Sequence, residues 1–151
     1  MQTELERIQF IGFRSAGSCI FLDGKLAFEL NELADSRNVL YAFAVDGRLT
    51  YIGKTVQTLR QRMAGYRNPG PTQPTNIRNN GNIRDSLAQG KRVEVYALLD
   101  NGLLHHGGFH VNLAAGLEDS LIRELKPPWN GGQKELSLQE MQPVSYTAPL
   151  W

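Results

Sequence analysis

The sequence predicts an α+β domain, a small three-stranded antiparallel sheet flanked by helices. Three observations carry that prediction. Two short β-forming runs meet at Asp46-Gly47, a third run alternates apolar and polar residues over 92–100, and two stretches, 57–66 and 113–126, carry helical spacing. The order strand, strand, helix, loop and helix, strand, helix is that of an antiparallel sheet with helices packed on it.

"RNVLYAFAV" (37–45) is a short apolar run of β-forming residues, and "RLTYIG" (48–53) returns from it, with Gly53 ending the strand. Asp-Gly between them is a strong signal for a two-residue hairpin. "QTLRQRMAGY" (57–66) reads as an amphipathic helix. Leu59 and Met63 lie one turn apart on one face, and Arg62 and Tyr66 share a neighbouring face. "RNPGPTQPTN" (67–76), with Pro69, Pro71 and Pro74, reads as a loop, and a helix is expected over 82–89 with Gly90 at its C-terminal cap. "RVEVYALLD" (92–100) is the third strand, and "NGLLHHGGFHVN" (101–112) is a polar connection. "LAAGLEDSLIRELK" (113–126) is the clearest helix, stopped by Pro127 and Pro128, with a turn in "WNGGQK" (129–134). Ahead of this core, residues 1–38 read as an N-terminal extension holding a short strand or two, a turn at Asp23-Gly24 and a helix over 26–33. The core domain spans 39–131 with an insertion at 67–83, and 132–151 is a tail with little periodicity.

Bulk properties narrow the functional classes. A chain of 151 residues, 41% hydrophobic and 21% charged, has the composition of one folded soluble domain. Its single cysteine, Cys19, cannot form an internal disulfide, which favours a reducing compartment and makes the cytoplasm the expected location. The N-terminal "MQTELERIQF" is acidic and polar, unlike a secretory signal, and no run approaches the roughly 20 apolar residues of a membrane span. Net charge is only +1, but its distribution is uneven. Between 54 and 92 stand Lys54, Arg60, Arg62, Arg67, Arg78, Arg84, Lys91 and Arg92 against the single acid Asp85. Such a local field attracts phosphates on a near-neutral protein. His105, His106 and His110 have no accompanying cysteine or HExxH spacing, so a metal site there is not expected.

The tripeptides "VLY", ending at Tyr41, and "YIG", at 51–53, resemble the paired signature of the GIY-YIG nuclease superfamily. The first departs from Gly-Ile-Tyr but keeps its tyrosine. "LRQR" (59–62) resembles the family's Leu-x-x-Arg and puts Arg62 at the position of the catalytic arginine. Tyr66, one turn on, sits where family members carry tyrosine or histidine. "GLEDSLIRELKPPWN" (116–130) resembles the last motif, with Glu118 at the position of the metal-binding glutamate and Asn130 where the family carries an asparagine. The resemblance covers residues 39–131 and implies the GIY-YIG fold and a Mg²⁺-dependent endonuclease, with Mn²⁺ as a substitute.

The residue types suit that chemistry. Phosphodiester hydrolysis needs a deprotonated water, stabilisation of charge on the phosphate oxygens and neutralisation of the leaving oxygen. An arginine fork such as Arg62 matches a phosphate, and a lone carboxylate such as Glu118 can hold one Mg²⁺ that keeps most of its waters. A phenol with a pKa of about 10 is a poor base, but Arg62 and Lys54 nearby favour phenolate. The resemblance favours Tyr41 as base with Tyr51 and Lys54 supporting it, while the residues themselves leave Tyr41 and Tyr51 both open. Tyr66 can equally cap the helix core, and Asn130 before Gly131 can equally be a turn residue.

Within the family the compact type II restriction endonucleases are the nearest likeness, because "TNIRNNGNIRDSLAQGKRVEVYAL" (75–98) looks like their segment between first helix and third strand. Arg60, Arg67, Asn76, Arg78, Asn79, Asn80 and Arg84 are therefore the expected DNA-contacting residues, Asn and Arg being suited to adenine and guanine edges. The expected partner is double-stranded DNA. A homodimer is expected because one site per chain must cut two strands. A non-specific or structure-specific nuclease and a catalytically silent nucleic-acid-binding module are the alternatives.

Overall fold

The structure, a computed structural model, describes residues 1–100 and 102–131. The tail at 132–151 and the end of the expected 129–134 turn lie outside the described residues. Helix α1 (Glu4–Phe10) comes first, capped by Thr3, whose hydroxyl accepts from the Glu6 N–H at 3.1 Å. Strands β1 (Arg14–Leu22) and β2 (Lys25–Leu30) form a hairpin, and β3 (Val39–Val45) and β4 (Arg48–Thr55) form a second. Each turns on Asp-Gly with both residues at positive φ, 53° and 76° in the first and 48° and 78° in the second. That backbone is the one whose twist matches the flanking strands. Helices α2 (Leu59–Arg67) and α3 (Pro74–Ala88), strand β5 (Val93–Leu99), a small hairpin of β6 (His105–His106) and β7 (Phe109–His110), and helix α4 (Leu113–Leu125) follow.

Strand β5 inserts between the two hairpins and pairs antiparallel with β1 and β3, giving the order β2-β1-β5-β3-β4. The sheet thus has five strands, not the expected three, and the helix expected over 26–33 is strand β2 instead. Leu26, Phe28 and Leu30 pack on one core at a period of two, and the β1–β5 pairing joins segments far apart in sequence, which no local pattern reports. Two other boundaries differ. Helix α3 starts at Pro74, well before residue 82, because proline in a first helical turn lacks only an N–H that would be unpaired anyway. Strand β4 continues past Gly53 to Thr55.

The sheet is covered on both sides. Val39, Tyr41, Phe43, Tyr51 and Val95 meet Leu59, Met63, Tyr66 and Ile83 from α2 and α3. Leu40, Ala42, Ala44, Leu49 and Ile52 meet Leu5 and Ile8 of α1 and Ala114, Leu117 and Leu121 of α4. Burial on both faces is why 39–45 reads as a continuous apolar run. A bulge at Thr50, between the pairs Phe43–Tyr51 and Ala44–Leu49, turns Leu49 and Ile52 to the same face. The Thr50 hydroxyl donates to Phe43 O at 3.0 Å and so stays paired.

Val39 pairs with both Thr55 and Leu99, so β3 starts where β4 and β5 end. Helix α2 begins beside that end of the sheet. Helix α4 runs antiparallel to β4, since Glu118 meets Lys54 and Trp129 meets Thr50. The N-termini of α2 and α4 therefore face the same end. Among the described residues no helix is long and apolar enough to cross a membrane.

Candidate active site

Three tyrosines and one arginine gather on the α2 side of the sheet. Tyr41 on β3 and Tyr51 on β4 project from neighbouring strands, their ring centroids 6.2 Å apart, and Tyr66 of α2 packs edge-on to Tyr41 at 6.2 Å. Gly53 makes this possible. It pairs with Tyr41 across the hairpin, and a Cβ there would lie 2.5 Å from the Tyr41 hydroxyl and 2.9 Å from the Tyr51 ring. The Tyr41 ring crosses β4 over the one residue without a side chain.

The phenols are joined to Arg62. Arg62 Nη2 donates to the Tyr66 hydroxyl at 2.7 Å, and the Tyr66 and Tyr41 hydroxyls are 2.5 Å apart. Arginine can only donate, so the Tyr66 oxygen accepts there and its own proton is free for the Tyr41 oxygen. Either hydroxyl can donate between Tyr66 and Tyr41, and Tyr66 must do so once Tyr41 is a phenolate. The guanidinium also lies 4.1 Å over the Tyr66 ring. Its position comes from α2, which starts on a capping box: Thr58 accepts from the Gln61 N–H and Gln61 from the Thr58 N–H, both at 3.1 Å.

Burial dominates the titration of this cluster. Tyr41 is 1% exposed and Tyr66 fully buried. Loss of hydration pushes the Tyr41 phenol well above the ordinary range and Tyr51 adds to this, while Arg62 and the Tyr66 hydrogen bond oppose it. Tyr66 is raised as well, by burial first and then by Tyr41 and Tyr51. For Arg62, burial works against the charge, and Tyr41, Tyr66 and Tyr51 more than offset it.

The second cluster lies on the α4 side of the same strand. Lys54 Nζ stands 3.8 Å from Glu118 Oε1, and the Glu118 side chain is only 17% exposed. Burial raises the Glu118 carboxyl above its usual range; Lys54 opposes, Asp119 adds to the rise, and the Lys54 backbone opposes again. Lys54 is three residues beyond Tyr51 on β4, roughly 10 Å along the strand. Among the described residues no three His, Cys, Asp or Glu side chains stand together as a metal cage. A lone, partly buried carboxylate fits a hard divalent cation that draws its other ligands from water and phosphate oxygens.

Asn130 acts on backbone. Its Oδ1 accepts from the Ile52 N–H at 2.8 Å and its Nδ2 donates to Ile52 O at 2.7 Å. With Trp129 N–H donating to Thr50 O at 2.8 Å, this segment pairs the open edge of β4 between Tyr51 and Lys54.

The expected DNA-contacting residues divide. Arg60 and Arg67 are exposed, Arg60 paired with Asp35 at 3.2 Å. Arg78 and Arg84 are half-buried, and Arg84 donates to Asn80 at 3.0 Å. The asparagines face inward. Asn79 is fully buried, Asn76 is 8% exposed and donates to Gln73, and Asn80 donates to the Tyr66 carbonyl at 2.8 Å. Asn76 nevertheless lines a cleft beside Arg62. Gln61 and Gln73, outside the expected site residues, line the same cleft. The Thr58-x-x-Gln61 capping pattern was the available signal for the first. Cys19 is a core residue, 2% exposed, with burial pushing its thiol up to about 12.

No protein-family profile matches the sequence. Endonuclease II of Enterobacteria phage T4 is 30% identical over 114 residues, covering 72% of this chain and 83% of the relative. The solved structure of a bacteriophage T4 EndoII mutant, with one glutamate replaced by alanine, matches at a TM-score of 0.66 and 25% identity, over 85% of this chain and 99% of that one. The restriction endonuclease Hpy188I in complex with product DNA gives a TM-score of 0.49 at 16% identity, over 87% of this chain and 82% of that one.

Proposed function

The chain belongs to the endonuclease II family, and from that premise we propose that it is a GIY-YIG endonuclease that hydrolyses phosphodiester bonds of double-stranded DNA with Mg²⁺. The observation that carries this reading is the hydrogen-bonded chain from Arg62 through Tyr66 to Tyr41, laid across Gly53 with Glu118 and Lys54 farther along the same strand.

In this reading Tyr41 is the general base. Tyr66 donates to Tyr41 and stabilises its phenolate, and Arg62 holds Tyr66 in place while its remaining N–H groups bind a non-bridging phosphate oxygen. Tyr51 walls the water's approach and Lys54 offsets charge on the phosphate. Glu118 is the residue that would hold the Mg²⁺, which when bound supplies positive charge at the phosphate and the leaving oxygen. Asn130 is a positioning residue that fixes the β4 backbone between Tyr51 and Lys54. The N-termini of α2 and α4 add partial positive charge at the same end of the sheet.

We propose further that it cuts at specific sites in the manner of a type II restriction endonuclease, as a homodimer. Light scattering with and without DNA tests the dimer, and a monomer under both conditions would contradict it. One observation favours a second reading, a nuclease of low sequence specificity: Asn79 is fully buried and Asn80 donates to the Tyr66 carbonyl. Digestion of unmethylated phage-sized DNA of known sequence, with Mg²⁺, separates the two. Discrete fragments with common ends support site specificity, and a continuous smear supports the second reading.

A further inference from the structure

Beside Arg62, between the first turns of α2 and α3, lies a cleft of about 470 Å³ lined by Gln57, Gln61, Arg62, Gln73 and Asn76. Its polar groups are oriented. Gln61 Oε1 accepts from the Thr58 N–H and the Thr58 hydroxyl, both at 3.1 Å. Gln73 Oε1 accepts from the Gly70 N–H at 2.9 Å and from Asn76 Nδ2 at 3.0 Å. A backbone N–H can only donate, so neither carboxamide can be turned round. Each presents its NH₂ group, and neither nitrogen has a hydrogen-bond acceptor within the described residues. Arg62 divides in the same way: Nη2 is committed to Tyr66, while Nη1 lies 3.2 Å from where a Gly65 Cβ would be, at the floor of the cleft. Gly65 leaves that floor open. The first turn of α3 carries no side-chain cap, and the Ile77 N–H bonds back to Gln73 O at 3.0 Å.

A cleft lined by a guanidinium and by two carboxamides whose oxygens are already used leaves N–H donors for an anion. Its volume exceeds that of a bare ion and falls in the range of small-ligand sites. We propose that this cleft binds the DNA backbone phosphate and sugar next to the phosphate being cut, with Gln61 and Gln73 as its anchoring donors. The inference rests on the endonuclease reading above and adds a second phosphate subsite to it. Arg62 stands between the two subsites, with Nη2 on Tyr66 and Nη1 beside Gly65.

The test uses Gln61→Glu and Gln73→Glu, each of which keeps the accepting oxygen and replaces the donor with a carboxylate oxygen. Glutamate serves the Thr58 capping box as well as glutamine does, so α2 should keep its start. Gln9→Glu, on the exposed side of α1, controls for net charge. With the full chain and duplex DNA, both cleft variants should bind about tenfold more weakly or worse. KM should rise more than kcat falls, with the melting temperature of Gln61→Glu unchanged. Parent-like binding by both variants, or an equal loss in Gln9→Glu, would overturn the subsite. If Gln61→Glu does not fold, Gln73→Glu decides alone. A parent protein that cuts DNA while the variants are unaffected defeats only the subsite. A parent that neither binds nor cuts DNA defeats the endonuclease reading and the subsite with it.

Discussion

At the residue scale the site depends on what Gly53 lacks. A methyl group there would stand 2.5 Å from the Tyr41 hydroxyl, so Gly53→Ala must displace the ring that carries the proposed base. The expected result is a stability loss of about 1–3 kcal/mol by denaturant melt, as for other overpacked sites, and a cleavage rate at least tenfold lower. Tyr41 also sets a pH dependence. Its phenol is held above the ordinary range, so phenolate is the minor form at neutral pH and grows about tenfold per pH unit. Single-turnover cleavage measured from pH 7 to 9 should rise with it, and a flat profile would remove Tyr41 as base. Much of this was legible from residue type, because Arg62, Glu118 and the paired tyrosines are groups phosphodiester chemistry needs. The inward turn of Asn79 was not, since a polar residue on a helix gives no sign of its own burial.

At the element scale the weak point is the open edge of β4, and Asn130 closes it. Asn130→Ala leaves the Ile52 N–H and C=O without their partners, which should cost about 2 kcal/mol in urea unfolding and loosen the strand between Tyr51 and Lys54. Parent-like stability would mean that water replaces the amide freely. The hairpin at Asp46-Gly47 and helix α4 were readable because their signals are local: a turn dipeptide, and an apolar spacing ended by prolines. A strand before the turn at Asp23-Gly24 was readable too, but its place in the central sheet was not, because that depends on β5, far along the chain. Helix α1 escaped although Thr3-x-x-Glu6 is a capping signature, with Leu5 and Ile8 at helical spacing after it. The start of α3 was hidden by Pro74, which breaks a helix in its interior but suits its first turn.

At the scale of the whole molecule, the sheet separates the proposed base and the α2 arginine on one face from the α4 carboxylate on the other. Keeping Glu118 partly buried has a cost. Its folded carboxyl titrates above its unfolded value, so its charge destabilises the fold above that folded pKa, and the effect fades as pH falls and both states protonate. Glu118→Gln should therefore melt higher than the parent at pH 7, with the difference shrinking toward pH 3; an unchanged or lower Tm at pH 7 would contradict the assignment. The same variant gives the most direct test of the central claim, that this chain cuts DNA with these residues. Parent and Glu118→Gln are incubated with duplex DNA across a Mg²⁺ titration, and binding and cleavage are measured side by side. The account predicts that both bind DNA and that only the parent cuts, in step with added Mg²⁺. Equal cleavage by the two proteins, or DNA left intact by the parent at every Mg²⁺ concentration, would contradict it.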